Sequence, residues 1–233
     1  MQRLQLRHLR SPNPATRRRT AIKLQLHPRP DALWIVLDQL EKEYDPEVEA
    51  ELIRALSALG DARAADAIIR QLQCNGVGFV RAAAARALSR IPGTEVLQAL
   101  QRAALRDSDD WVRHEALLAL VTREDDASMD IFFEALAHDS YYPNCKLAAL
   151  GIIQKALSAR RPEWIVRAIE INAPATAHAL ADLCKSRQEL LQDSLVHKTL
   201  HLLYFHPELH RLRADLESIG LPSRVQTYEL ELD

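Results

Sequence analysis

The stretch Asp107-Ser-Asp-Asp-Trp-Val-Arg-His-Glu-Ala-Leu-Leu-Ala-Leu120 decides the fold. Its acidic start, Asp107 to Asp110, supplies carboxylates that can accept the free N–H groups of a helix's first turn and that favour the positive end of the helix dipole. Val112, Ala116, Ala119 and Leu120 then recur at helical spacing and make one apolar stripe. Such a stripe needs a cover, and the rest of the chain supplies it. Leu24, Leu56, Leu88, Leu120 and Ile152 stand at successive steps of 32 residues. Val48, Val80 and Val112 keep that step, as do Ala55, Ala87 and Ala119, and Leu40, Leu72 and Leu136 fall on the same grid. Several series in one register define a structural repeat: two helices of about a dozen residues with two short connections.

Working outward, five clear repeats occupy 3–157. The first, 3–28, turns at Ser11-Pro-Asn-Pro14; the second, 31–60, at Tyr44-Asp-Pro46; the third, 62–92, at Cys74-Asn-Gly-Val-Gly78. The fourth, 94–122, holds the opening stretch, and the fifth, 126–157, turns at Asp139-Ser-Tyr-Tyr-Pro143. Beyond Arg160 the grid weakens. Residues 160–220 read as divergent capping helices: Glu163 to Ile171 paired with Ala175 to Lys185, then Gln188 to Tyr204, then Leu209 to Ile219. The chain is expected to form one all-α solenoid domain over 1–221, with a tail, 222–233, whose apolar–polar alternation is more strand-like.

Composition agrees with helices, since Leu and Ala lose little on entering one and aromatic residues make up only 5%. No apolar run approaches the roughly 18 residues of a membrane span, and Met1-Gln-Arg-Leu-Gln-Leu-Arg7 lacks the apolar segment of a secretory signal, which points to the cytoplasm. Cys74, Cys145 and Cys184 are odd in number and widely spaced, which speaks against a disulfide framework or a thiolate metal site. Charge is unevenly placed. Arg3, Arg7, Arg10, Arg17, Arg18, Arg19, Lys23 and Arg29 make residues 1–30 +8, the remainder is −10, and a cluster from Asp38 to Glu51 follows directly. Either neighbouring repeats neutralise each other, or the basic end meets an acidic partner or nucleic acid.

Around Ala55-Leu-Ser-Ala-Leu-Gly-Asp-Ala-Arg-Ala64 and Val112-Arg-His-Glu-Ala-Leu-Leu-Ala-Leu120, the chain resembles HEAT repeats, specifically the phycobilisome-lyase HEAT-like kind, well over 30–155 and by extension on the flanks. The resemblance implies a right-handed superhelix of stacked antiparallel helix pairs whose second helices line the concave face. It implies one of two roles: a non-catalytic scaffold for a protein or peptide partner, or a phycobilin lyase or phycobilisome-processing subunit that would handle a bilin. The chain is also similar in repeat type to deoxyhypusine hydroxylase, whose iron site needs several His-Glu pairs. Here His114-Glu115 is matched by Ala82-Ala83 and Ala50-Glu51, so one pair cannot build that site. Trp111 beside Asp109 and Asp110 invites comparison with HEAT-like alkylpurine DNA glycosylases, but the acidic balance opposes a phosphate-tracking groove.

Helical geometry gives the residues that the second helices expose opposite their packed stripe. They are Arg18, Arg54, Arg86, His114, Leu118, Val121, Lys146, Leu150 and Ile153, together an expected partner-binding face that runs from basic to apolar. Leu118, Val121, Leu150 and Ile153 form an expected apolar patch, unless they are simply buried or the tail's Tyr228, Leu230 and Leu232 lie on them. Arg81 and Arg113 share one repeat position near Asp107, Asp109 and Asp110. They read either as anion ligands or as an Arg–Asp ladder between repeats. His197 with His201 and His206 with His210 have helical metal-ligand spacing, but Pro207 separates them and no His-Glu-x-x-His motif is present. With no Gly-rich phosphate loop and no nucleophile elbow, the residues specify neither a reaction nor a cofactor, and the leading expectation is a scaffold.

Overall fold

The computed structural model describes residues 6–123 and 127–207, with the side chains of Tyr204 and Phe205 excepted. These residues form α1 (Pro14–Leu26), α2 (Leu33–Lys42), α3 (Pro46–Leu59), α4 (Ala65–Cys74), α5 (Gly78–Leu88), α6 (Thr94–Arg106), α7 (Asp110–Val121), α8 (Met129–His138), α9 (Tyr142–Ala159), α10 (Pro162–Ser186) and α11 (Ser194–Phe205). Short 3-10 turns lie at Leu6–Arg10, Pro30–Ala32, Ala62–Ala64 and Gln188–Gln192, and no strand occurs among the described residues. The expected helix of Leu209 to Ile219 and the tail of 222–233 fall outside them. The fold is an all-α solenoid of helix pairs.

Short polar side chains set the helix starts. Asn13 Oδ1 accepts from the Ala15 N–H at 2.9 Å with Pro14 at the first helical position, and Asp45 accepts from the N–H groups of Glu47 and Val48 ahead of Pro46. Asp109 does the same for α7 through Trp111 and Val112. Each such cap satisfies donors that a helix leaves open and is worth about 1 kcal/mol. α3 stops where Gly60 takes the left-handed conformation, φ 64°, from which its N–H returns to the carbonyls of Leu56 and Ser57.

Contacts divide the chain into two compact units, Met1–Ser128 and Met129–Asp233, where the sequence reads as one continuous stack. In the first unit the second helices of successive repeats, α1, α3, α5 and α7, pack side by side in chain order. α2, α4 and α6 each lie against the second helix that follows them, and α4 packs on α6. The 32-residue series is the core: Leu24, Leu56, Leu88 and Leu120 are fully buried, as are Val48, Val80 and Val112. Burying a side chain of this size contributes about 1.5–3 kcal/mol. The first helix of the first repeat is only the 3-10 turn Leu6–Arg10, which is anchored by buried Leu9.

In the second unit α8 packs on α9, and α10 lies along both. α10 is two helical arms, 162–171 and 173–186, separated at Asn172 (φ −154°, ψ 81°). There the Asn172 side chain accepts from the Ala175 N–H and restarts the helix. These arms match the pair read at Glu163 to Ile171 and Ala175 to Lys185. The helix expected over Gln188 to Tyr204 is instead broken: Asp193, extended at φ −76° and ψ 126°, accepts from the Leu195 N–H and starts α11 afresh. No helix among the described residues is long and apolar enough to cross a membrane.

Candidate functional site: the second-helix face

In the Met1–Ser128 unit one position of each second helix stays in solvent: Ile22 on α1, Arg54 on α3, Arg86 on α5 and Leu118 on α7, at successive steps of 32. This is the row that helical geometry selects. Its arginines are committed, however, to carboxylates on the same face. Arg54 donates to Glu51 at 2.9 Å, and Arg86 grips the buried Glu115 carboxylate through Nε at 2.8 Å and through a second nitrogen. Arg18 pairs with Glu47 at 2.7 Å and approaches Glu51, whose carboxylate also accepts from Gln25 at 2.6 Å. The stretch expected to be basic is therefore a mosaic of closed ion pairs. Glu115, half of the His-Glu dipeptide, holds the next repeat to Arg86.

Toward α7 the face turns aromatic. Trp111 is 49% exposed on the first turn of α7, and the His114 ring stacks on it at 5.2 Å between centroids and 13° between planes. Leu118, 38% exposed, lies one turn further along, with half-buried Val121 after it. Phe79 occupies the Trp111 position one repeat earlier and is also exposed. Sequence reasoning passed over Phe79, although its spacing of 32 from Trp111 was the signal. Trp34 escaped it as well; its ring lies under the Arg63 guanidinium at 5.4 Å.

Arg81 and Arg113 form a ladder, and Arg17 joins them. Each reaches back six residues to a carbonyl in the turn before its helix: Arg17 to Ser11 at 2.8 Å, Arg81 to Asn75 at 3.1 Å and Arg113 to Asp107 at 3.0 Å. Arg17 and Arg81 also reach forward 26 residues in bidentate pairs, to Glu43 at 2.6 and 2.7 Å and to Asp107 at 2.7 and 2.9 Å. At the intervening step the polarity is reversed, with Glu49 accepting from the Asn75 side chain at 3.1 Å. Burial raises the Glu43 and Asp107 carboxyls, but the arginines and backbone N–H groups that donate to them outweigh it and hold both below their ordinary values. Burial pushes Glu49 up, and the nearby Glu43 and Asp45 charges add to that against the Asn75 hydrogen bond.

In the Met129–Asp233 unit the face is built differently. Lys146 pairs with Asp182 at 2.5 Å, and Tyr142 shares a 2.5 Å hydrogen bond with His178 Nδ1, both across 36 residues from α9 to α10. Leu150 is half-buried. Ile153 is fully buried, which corrects its assignment to an exposed patch: α9 runs on to Ala159, α10 packs along it, and this part of the helix is closed.

Cys74 is exposed, whereas burial pushes the Cys145 and Cys184 thiols up and keeps them protonated. His197 is exposed and His201 half-buried on α11, while His210 lies outside the described residues. Among those residues no group of three or more His, Cys, Asp or Glu side chains is placed to hold a metal.

The chain matches the family described as HEAT repeats over residues 4–88 and again over 78–153. No curated protein matches it.

Proposed function

Because the chain belongs to the HEAT-repeat family, we propose that it acts as a non-catalytic scaffold holding a protein or peptide partner on its second-helix face. One observation carries this reading: the exposed strip of Trp111, stacked His114 and Leu118 on α7, with Phe79 one repeat before it. Exposed aromatics beside an apolar side chain, rimmed by a closed Arg86–Glu115 pair, have the composition of an interface centre with a polar rim. Arg18, Arg54, Arg86 and Val121 complete the face in this unit, and Lys146 and Leu150 supply its counterpart in the second. A cytoplasmic location goes with the reading and with three free cysteines.

The test is capture from a native extract with a photo-crosslinking residue at 121, repeated with Trp111→Ala, with Leu118→Asp, and with Gln98→Arg on α6 as the control. A partner that is lost with the α7 changes and kept with the control supports the face. Equal capture by all variants refutes it.

The finer resemblance to phycobilisome-lyase HEAT-like repeats adds a second reading, a phycobilin lyase or processing subunit. Incubation with phycocyanobilin and an apo-phycobiliprotein decides it, since absence of both visible-band binding and attachment removes it.

A further inference from the structure

On every second helix after the first in the Met1–Ser128 unit, two positions are buried against the preceding repeat. They are Glu51 and Ala55 on α3, Ala83 and Ala87 on α5, and Glu115 and Ala119 on α7. The same two positions on α1 are Arg19 and Lys23, and both are exposed. Between and beside them stand Ile22 and Leu26, the latter 71% exposed. Among the described residues neither cation's side chain has a hydrogen-bond or ion-pair partner, whereas Arg10, Arg17, Arg18 and Arg29 are paired with Asp38, Glu43, Glu47 and Asp31. Among the described residues the first helix thus presents, uncovered, the surface that each later helix uses for stacking, with two cations where the later helices carry alanine or glutamate.

We propose that this α1 edge is a docking site for an acidic amphipathic helix of a partner protein, which stacks on α1 as one more second helix. Its carboxylates meet Arg19 and Lys23, and its apolar stripe covers Ile22 and Leu26. Charge complementarity follows the rule used inside the stack, where Arg18, Arg54 and Arg86 all meet glutamates on this layer. Apolar side chains set between two cations suit a helix better than a phosphate backbone, because a phosphate backbone offers them nothing to cover. The site is separate from the α7 strip, so either can fail alone.

The experiment measures fluorescence anisotropy of a labelled, lactam-stapled helical peptide whose leucine stripe is flanked by glutamates four residues apart. Controls are the same peptide with lysines in place of glutamates and a short duplex DNA. The full chain is compared with Arg19→Glu/Lys23→Glu, with Leu26→Asp, and with Arg102→Glu on α6. Both altered cations are solvent-exposed, and a circular-dichroism melt verifies that the fold is unchanged. Expected are binding of the acidic peptide, a loss of about tenfold or more with either α1 variant, no change with Arg102→Glu, and weakening with salt. Equal binding of the lysine peptide, equal binding by the α1 variants, or tighter binding of the DNA overturns the proposal. So does a self-association in sedimentation velocity that the α1 variants abolish, which would make a second copy the occupant. Much tighter peptide binding by a chain ending at residue 221 would assign the edge to the protein's own C-terminus instead.

Discussion

Arg17 shows how much of this molecule hangs on single polar side chains. Its guanidinium is almost wholly buried, and the Glu43 carboxylate it holds is fully so. Removing one partner leaves an uncompensated charge in the interior, so Arg17→Ala is expected to cost about 3–5 kcal/mol in urea denaturation, whereas Arg17→Met with Glu43→Leu should come much closer to wild type. The same carboxylates set the acid response. Glu43 and Asp107 lie below their ordinary values of 4.5 and 3.8, so their stabilisation is complete above those values and drains away as pH falls through the lower folded-state ones. Melting temperature measured against pH should fall less steeply in that acid range for Glu43→Gln and Asp107→Asn, each from a lower start at neutral pH. Glu49 has the opposite sign: its raised value means that mild acidification toward 4.5 relieves a cost of ionisation. The ladder at Arg81 and Arg113 was legible from their shared repeat position. Arg17 stands on the same grid but was submerged in the eight cations of residues 1–30, because Glu49 interrupts the series with the reversed polarity.

At the level of the helix, the join between α5 and α7 rests on a missing side chain. A Cβ on Gly78 would lie 2.0 Å from Asp109 Oδ2, and Asp109 is not free to yield, because the same carboxylate caps α7. Gly78→Ala is therefore expected to destabilise by about 1 kcal/mol, the worth of the cap it displaces. In an Asp109→Ala background the same change should become neutral or stabilising, since alanine is the better helix former once the obstruction is gone. A double-mutant thermal-melt cycle measures the difference, and equal costs in both backgrounds would rule out this account. Helix existence and turn positions were legible along this stretch because the cap residues Asn13, Asp45 and Asp109 and the prolines announce themselves. The change of step was not. α9 has 18 residues where α1, α3, α5 and α7 have 11 to 14. The α9–α10 pairs span 36 residues where those between the earlier second helices span 26 to 29, which is why the grid weakens after Arg160 and why Tyr142 with His178 went unread. Ile153 was misplaced for the same reason, since a fixed grid cannot know that its helix is longer and more fully covered.

Over the whole chain about half of the basic excess of residues 1–30 is settled internally. Four of the eight cations of residues 1–30 are paired with acids between Asp31 and Glu47, so a +8 segment does not present a +8 surface. Duplex DNA or RNA is accordingly expected to give no steeply salt-dependent shift in a gel at moderate ionic strength. A slope corresponding to six or more phosphates would contradict this neutralisation. What composition could not convey is pairing, because the same totals describe a basic tip and a zwitterionic seam, and only the offsets between partners, 26 to 29 residues for Arg10, Arg17 and Arg18 and two for Arg29, distinguish them. The Arg81 bracket has a further consequence. The residue reaches back six positions to its own turn and ahead 26 to the next, so a one-period block such as 76–107 contains the donor together with an aspartate, Asp107, that offers both a turn carbonyl and a carboxylate. Tandem copying of such a block would deliver a finished joint at both ends, and the array could lengthen by duplication without a new fastening having to arise first.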